Sequence, residues 1–248
     1  MTENQKEYLV GVINPTNRPE TRETDLDEKL PPNIRFVSRT LNFTRGTEEE
    51  FAASMPAYEA NVAEFASMKA DLIRPSGAPP FMLLGFDGEQ QTIQGWEKKY
   101  GIPMFTSGQN HVRALKTLGV RKLVGASYFP AKMNGVFTRY FSEAGFDVLA
   151  MEGIAVAFAD VPKLPAAQVY EHITGMLEKH REVEGVYLLG SAWKVLEIID
   201  PLEKASGLPV VHPGPARNWE MLMRLGFRQG VAGYGRLLAE MPQPVPLY

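Results

Sequence analysis

Two short glycine-centred loops are the places in this chain where chemistry could be organised. Ser76-Gly77-Ala78 follows the apolar run Asp71-Leu72-Ile73, and Gly190-Ser191-Ala192 follows Gly185-Val186-Tyr187-Leu188. Small residues at a strand end leave backbone N–H groups uncovered, and the serine hydroxyls add donors. Such preorganised donors stabilise negative charge as it develops on a carboxylate or an enediolate. Arg74 stands before the first loop and Lys194 after the second, each a cation able to neutralise a carboxylate; for Lys194 plain solvation at the start of a helix is the simpler role. His212 directly follows Val210-Val211, and a histidine there suits a general acid or base because it titrates near neutrality. His111 occupies the corresponding neighbourhood of the first half, one turn into a helix, whereas His172 and His180 fall on a surface helix. Tyr128 ends another strand, where its phenol either joins the site or packs with the hydroxyl outward.

Composition removes many alternatives. The chain has 248 residues and no cysteine, so thiolate nucleophiles, disulfides and cysteine-ligated metals are out of reach. No His, Asp or Glu spacing matches a zinc or two-metal site, and Gly233-Tyr234-Gly235-Arg236-Leu237-Leu238 is neither a P-loop nor a dinucleotide fingerprint. No cofactor is therefore expected. A net charge of −3 with interspersed signs leaves no footprint for nucleic acid. There is no eighteen-residue apolar run, and the polar start lacks the pattern of a secretory signal. A cytoplasmic protein with no membrane partner is the expectation.

The elements that must position these loops alternate between strand and helix. Strands are expected at 8–13, 34–39, 71–73 and 102–105, with one helix opened by the capping box Thr47-Glu48-Glu49-Glu50 and running to about residue 69. Further helices are expected near 88–100 and 110–118. The polar stretch 18–32 reads as a loop or lid, in which Glu20, Glu23 and Asp25 become base candidates on closure. The second half repeats the first in the same order. Val10-Gly11-Val12-Ile13 corresponds to Val124-Gly125-Ala126-Ser127, and Asp71-Leu72-Ile73 with Gly77 corresponds to Gly185-Val186-Tyr187-Leu188 with Gly190. Gly101-Ile102-Pro103-Met104-Phe105 corresponds to Gly207-Leu208-Pro209-Val210-Val211. Strands alternating with helices predict mainly parallel sheets with helices on both faces. Ligands of such sheets sit beyond the carboxyl ends of the strands. A cleft between two facing lobes would then be built from 14–17, 74–80, 127–130 and 190–194, with 106–111 and 212–218 as its rim.

The order of these segments resembles the aspartate/glutamate racemase superfamily, in particular arylmalonate decarboxylases and maleate cis-trans isomerases. Gly11-Val12-Ile13-Asn14-Pro15-Thr16-Asn17, Ala114-Leu115-Lys116-Thr117-Leu118-Gly119-Val120, Gly185-Val186-Tyr187-Leu188-Leu189-Gly190 and the closing Gly233-Tyr234-Gly235-Arg236-Leu237 carry the likeness, which spans nearly the whole chain. It implies an α/β fold of two pseudo-symmetric Rossmann-like lobes, each a mainly parallel sheet flanked by helices, with the active site in the cleft between them. The lobes would comprise 1–118, with 220–248 packing back on it, and 119–219. A compact homo-oligomer is also implied. In the racemases of this superfamily two cysteines face each other across the pseudo-two-fold axis. Laid over this chain, those positions fall on Gly77 and Gly190, so no mechanism that needs the thiols carries over. The resemblance assigns Asn17 to a substrate carboxylate. It also places a tyrosine five residues before an asparagine, whereas here Phe129 stands five before Asn134 and Tyr128 six before it. Hydroxyl residues are expected after the first-lobe position, but Ala78 and Pro79 stand there and the hydroxyl is on Ser76.

These features together predict a cofactor-independent enzyme acting on a small carboxylate through an enediolate-like intermediate. Its catalytic residues would be His212, Ser191 and Tyr128, with Asn17, Arg74, Ser76, Gly77, Ala78, Gly190 and Ala192 binding substrate. Decarboxylation needs no base to start and so best survives the loss of both thiols. A hydrolase or C–C bond-cleaving enzyme, with water activated by His212, is the alternative, and a non-catalytic carboxylate-binding protein is the third reading.

Overall fold

Two of the runs read as strands are buried throughout, as parallel strands are when helices cover both faces. Every residue of Leu72–Pro75 and of Gly185–Leu188 is buried. The computed structural model describes residues 6–16 and 24–247. In the first half, β1 (Tyr8–Asn14) is followed by the one-turn α1 (Thr24–Asp27), β2 (Ile34–Thr40), α2 (Glu48–Ala52) and α3 (Met55–Ser67). Then come β3 (Leu72–Pro75), α4 (Ala78–Met82), α5 (Gly85–Tyr100) and α6 (Ser107–Thr117). The second half runs through β4 (Lys122–Ser127), α7 (Ala131–Glu143), β5 (Asp147–Gly153), a 3-10 turn (Phe158–Lys163) and α8 (Ala166–Lys179). It closes with β6 (Gly185–Leu188), α9 (Leu196–Ser206), β7 (Val210–Val211), α10 (Pro213–Arg224) and α11 (Arg236–Glu240). No helix among the described residues is long and apolar enough to cross a membrane.

Two sheets result, and both are wholly parallel. Their orders are β2-β1-β3 and β5-β4-β6-β7, so β1 and β4, β2 and β5, and β3 and β6 hold equivalent places. The expected strand at 102–105 survives only as a single parallel bridge between Ile73 and Met104. Ile73 N–H donates to the Pro103 carbonyl at 3.0 Å and Phe105 N–H returns to the Ile73 carbonyl at 3.3 Å, while Pro103, with no N–H, cannot extend the ladder further back.

The expected single helix after Thr47 is two. The Thr47 hydroxyl accepts from Glu50 N–H and caps α2. The Glu50 carboxylate turns outward from the box and accepts from the N–H groups of Arg45 and Gly46 at 3.1 and 2.8 Å. Pro56 ends the continuity, because it cannot donate the next intrahelical bond, and α3 starts afresh around it. Residues 74–80, expected as a loop, turn into α4 at Ala78, and α1 lies within the stretch expected to be irregular.

Across the pseudo-symmetry, α6 and α10 pack on one another. Their contact is polar at its centre. The Glu220 carboxylate accepts from Asn110 Nδ2 at 2.9 Å, forms a short ion pair with Arg113, and meets Arg224 at 2.8 Å. Glu220 is fully buried and Arg113 nearly so. Removing one partner of such a pair strands a buried charge, which costs about 3–5 kcal/mol. Glu220→Ala should therefore lower unfolding free energy by about that amount in urea titrations, with Glu220→Gln losing less because its amide oxygen still accepts from the arginines.

Candidate active site

Both glycine loops open into one cavity of about 100 Å3. In the first lobe, the Ser76 N–H donates to the Ile13 carbonyl at 2.9 Å, extending β3 by one residue. The chain then turns at Gly77, with φ +100°, a region that side-chain-bearing residues avoid. Gly77 N–H donates to the Ser107 hydroxyl at 3.2 Å, and the Tyr58 hydroxyl donates to the Ser76 carbonyl at 2.5 Å. In the second lobe, Leu189 N–H continues the ladder to Ala126 at 2.8 Å, and Gly190 turns at φ +97°. Each glycine faces a phenol. A Cβ on Gly77 would lie 2.9 Å from the Tyr58 hydroxyl, and one on Gly190 would overlap the Tyr128 hydroxyl and ring.

Tyr128 is held by a corner built on Ser127. The Ser127 hydroxyl donates to Asn134 Oδ1 at 2.6 Å and accepts from Phe129 N–H at 3.0 Å, and Asn134 Nδ2 donates to the Phe129 carbonyl at 3.1 Å. Phe129 and Trp193 pack on the Tyr128 ring with centroids at 4.8 and 5.3 Å. The phenol thus lines the cavity although Tyr128 stands six rather than five residues before Asn134. Beside it an apolar wall forms from Phe43, Phe51, Phe129 and Phe158. Opposite in character, Asn14, Thr16, Ser76, Ser107 and Ser191 supply polar groups, and Arg217 is the one charged side chain among the described lining residues. The Arg217 guanidinium also reaches Asp27 of α1 at 3.5 Å. With a cation and no carboxylate among the described lining residues, the cavity favours an anion.

Of the residues singled out in the sequence, Ser76, Gly77, Ala78, Tyr128, Gly190, Ser191 and Ala192 line this cavity. Asn17, Glu20 and Glu23 lie outside the described residues. Arg74 is buried within β3 and is not in the lining. Lys194 is exposed and precedes α9 rather than sitting inside a helix.

His212 is not in the lining either. It is the N-cap of α10, its Nδ1 accepting from Gly214 N–H at 3.2 Å, and burial, with the Arg217 charge nearby, lowers its pKa to about 3. A histidine so placed is neutral at physiological pH and serves the helix. The geometry lends no support to the expected role of His212 in activating water, because the backbone uses the nitrogen that would accept a proton and the side chain stands outside the lining. The histidine that does line the cavity is His111. Ser107, Thr16 and Arg217 join it as lining residues not chosen from the sequence. One available signal was the equivalence of the rim segments 106–111 and 212–218, which contain all but Thr16.

With this geometry in place, relatives can be compared. Residues 10–238 match the family model described as arylmalonate decarboxylase. The chain belongs to the arylmalonate decarboxylase family. Arylmalonate decarboxylase of Bordetella bronchiseptica is 20% identical over 214 residues, which are 86% of this chain and 89% of that one. Among solved structures, the maleate isomerase Iso from Pseudomonas putida S16 has a TM-score of 0.85 at 18% identity, covering 95% of this chain and 100% of its own. Nocardia farcinica maleate cis-trans isomerase gives 0.85 at 19%, covering 94% and 98%. Unliganded arylmalonate decarboxylase gives 0.80 at 18%, covering 93% and 98%. These structures establish the two-lobed fold, and the relatives are enzymes, a decarboxylase and isomerases. Among the described residues no cluster of three or more His, Asp or Glu could hold a metal ion.

Burial of the two histidines has a consequence for stability. Unfolded, each titrates near 6.5, whereas in the fold both are pushed down to about 3. Between those values the unfolded chain binds more protons, so stability rises with pH across that window and levels off above it. His212→Asn keeps a capping side chain but removes one titration. It should flatten the dependence by up to about 1.4 kcal/mol per pH unit below 6.5, read from urea midpoints at pH 5, 6 and 7.5.

Proposed function

We propose that this protein is a cofactor-independent enzyme that acts on a small carboxylate through an enediolate-like intermediate, most concretely a decarboxylase working without a thiol. The observation that carries this reading is the Tyr128 hydroxyl, which stands in the space a side chain at Gly190 would fill and opens on a cavity flanked by both glycine loops. Family membership supports the reaction class, and the Arg217 charge supports an anionic substrate.

In this reading one carboxylate of the substrate lies against the glycine loops and Arg217. The apolar substituent lies on Phe43, Phe51, Phe129 and Phe158. The bond from the central carbon to a second carboxylate breaks, CO2 leaves, and the electron pair is taken up by the retained carboxyl as an enediolate. Water is largely excluded by the aromatic wall, which strengthens every hydrogen bond to that charge. Tyr128 then gives its proton to the carbon, and the phenolate recovers a proton from solvent after product leaves. A positioned general acid of this kind contributes about 10²–10⁴-fold. Ser191 and Ser76 serve the oxygen atoms rather than the carbon.

The test is a screen of substituted malonates, β-keto acids and unsaturated diacids for CO2 release and for proton exchange in D2O. A reactive malonate or β-keto acid is expected. With that substrate, Tyr128→Phe should lower kcat by about 10²–10⁴-fold with KM little changed. Arg217→Gln should raise KM about ten- to a hundredfold, the worth of a charge-assisted hydrogen bond of about 1.5–3 kcal/mol. Full turnover in Tyr128→Phe would remove the phenol from the reaction. Tight binding of these acids without turnover would make the protein a carboxylate binder instead.

A further inference from the structure

We propose that His111 is a neutral hydrogen-bond donor to the substrate through its Nε2–H, and that Tyr187 is the positioning residue that keeps the proton on that nitrogen. The inference rests on the carboxylate reading above and adds a group that this reading does not need. His111 lines the cavity, is 1% exposed, and has no protein partner at Nε2. Its other nitrogen is engaged: the Tyr187 hydroxyl lies 2.8 Å from Nδ1.

The tautomer follows from Tyr187. This residue of β6 is fully buried, and His111 Nδ1 is the hydrogen-bond partner of its hydroxyl. Were the imidazole proton on Nδ1, the phenol O–H would be left with no acceptor, a costly state for a buried donor. The phenol therefore donates, Nδ1 accepts, and the proton sits on Nε2. The ring is also fixed in orientation. His111 and Tyr187 have centroids 5.1 Å apart, and Phe141 packs edge-on against Tyr187 at 4.7 Å.

The result is an oriented, buried donor on a residue that lines the cavity, with no hydrogen-bond partner from the protein. Buried polar atoms left in that state call for a partner, and a substrate carboxyl oxygen is the acceptor this cavity is built to receive. The groups around the imidazole agree with a neutral ring. Arg217 and His212 lie on the α10 side, Tyr187 faces Nδ1, and burial disfavours the charged form. His212 is the useful contrast, because its Nε2 is likewise unpartnered but the residue does not line the cavity. During bond cleavage His111 transfers no proton. Its N–H hydrogen bond strengthens as charge grows on the enediolate oxygen, the role neutral imidazoles take in other enediolate chemistry.

The experiment is imidazole ¹⁵N spectroscopy on the full chain between pH 5.5 and 8, with His111 assigned by its loss in His111→Gln. Phenylacetate is the probe, a monocarboxylate whose ring matches the aromatic wall. The expected result is a neutral Nε2–H tautomer over the whole range, a shift of Nε2 on adding phenylacetate, and a mixed tautomer in Tyr187→Phe. With a reactive acid in hand, His111→Gln should reduce kcat by about 10²–10³-fold, as for loss of one oxyanion donor. An Nδ1–H tautomer or an imidazolium at neutral pH overturns the proposal. It is also overturned if saturating phenylacetate moves the Gly77 and Gly190 amides while Nε2 stays put, and the carboxylate reading then stands alone. If phenylacetate moves none of these signals, the carboxylate reading itself fails and takes this inference with it.

Discussion

The cavity depends on a steric exchange made twice: β3 and β6 each end in a glycine at positive φ, and a tyrosine hydroxyl stands where that glycine carries no side chain. Neither half of the exchange works without the other. A Cβ at Gly190 would drive the Tyr128 ring off Phe129 and Trp193, and the turn itself resists any residue but glycine. Conversely, the phenol can approach the backbone so closely only because nothing projects from it. Parallel sheets deliver their strand ends to one edge, so these two turns decide what the site presents: backbone N–H groups, hydroxyls, and no carboxylate among the described lining residues.

Around the turns, charge is handled by burial and pairing rather than by solvent. Glu220 of α10 is joined to α6 through Arg113 and Asn110, fixing the helices that carry His111 and Arg217. Nearby, Glu89 is fully buried against Tyr140, and burial raises its pKa to about 7. The same burial drives His111 and His212 the other way, toward the neutral form. Glu89, His111 and His212 are thus pushed toward their neutral forms, while Glu220 keeps its charge by pairing and Arg217 lines the cavity. An arriving anion meets one cation and a set of neutral donors, which suits a charge that moves from one carboxylate onto another during reaction.

Much of this was legible in the sequence, for identifiable reasons. Strand ends followed by small residues announce themselves locally, and the repeat of landmarks along the chain predicts two equivalent sheets. The sheet orders β2-β1-β3 and β5-β4-β6-β7 follow that repeat. What could not be read were matters of partner and burial. His212 is nearer a strand end than His111, yet the Gly214 N–H claims its Nδ1, while His111 is selected by a tyrosine on a strand of the other half. Arg217 lies in the rim segment 212–218 without a signal of its own, and α10, packed on α6, carries it to the cavity. The break at Pro56 was visible as a residue but outweighed by the capping box before it, a local signal that fixes where a helix starts and not how far it runs.

The two phenols are equivalent by position but not by circumstance, and this difference bears on the proposed chemistry. Tyr58 is wholly buried, donates its proton to the Ser76 carbonyl, and burial pushes its phenol further from ionisation. Tyr128 lines the cavity. A mechanism that adds and removes protons on opposite faces of one carbon needs two groups of comparable reach, and the first-lobe phenol is sealed behind its own turn. Proton delivery in the proposed reaction is therefore one-sided, from the Gly190 face. A planar enediolate held between the two loops would be protonated on that face alone, giving a product of one hand. The pseudo-symmetric fold supplies the cleft, and the asymmetry of its two tyrosines supplies the direction.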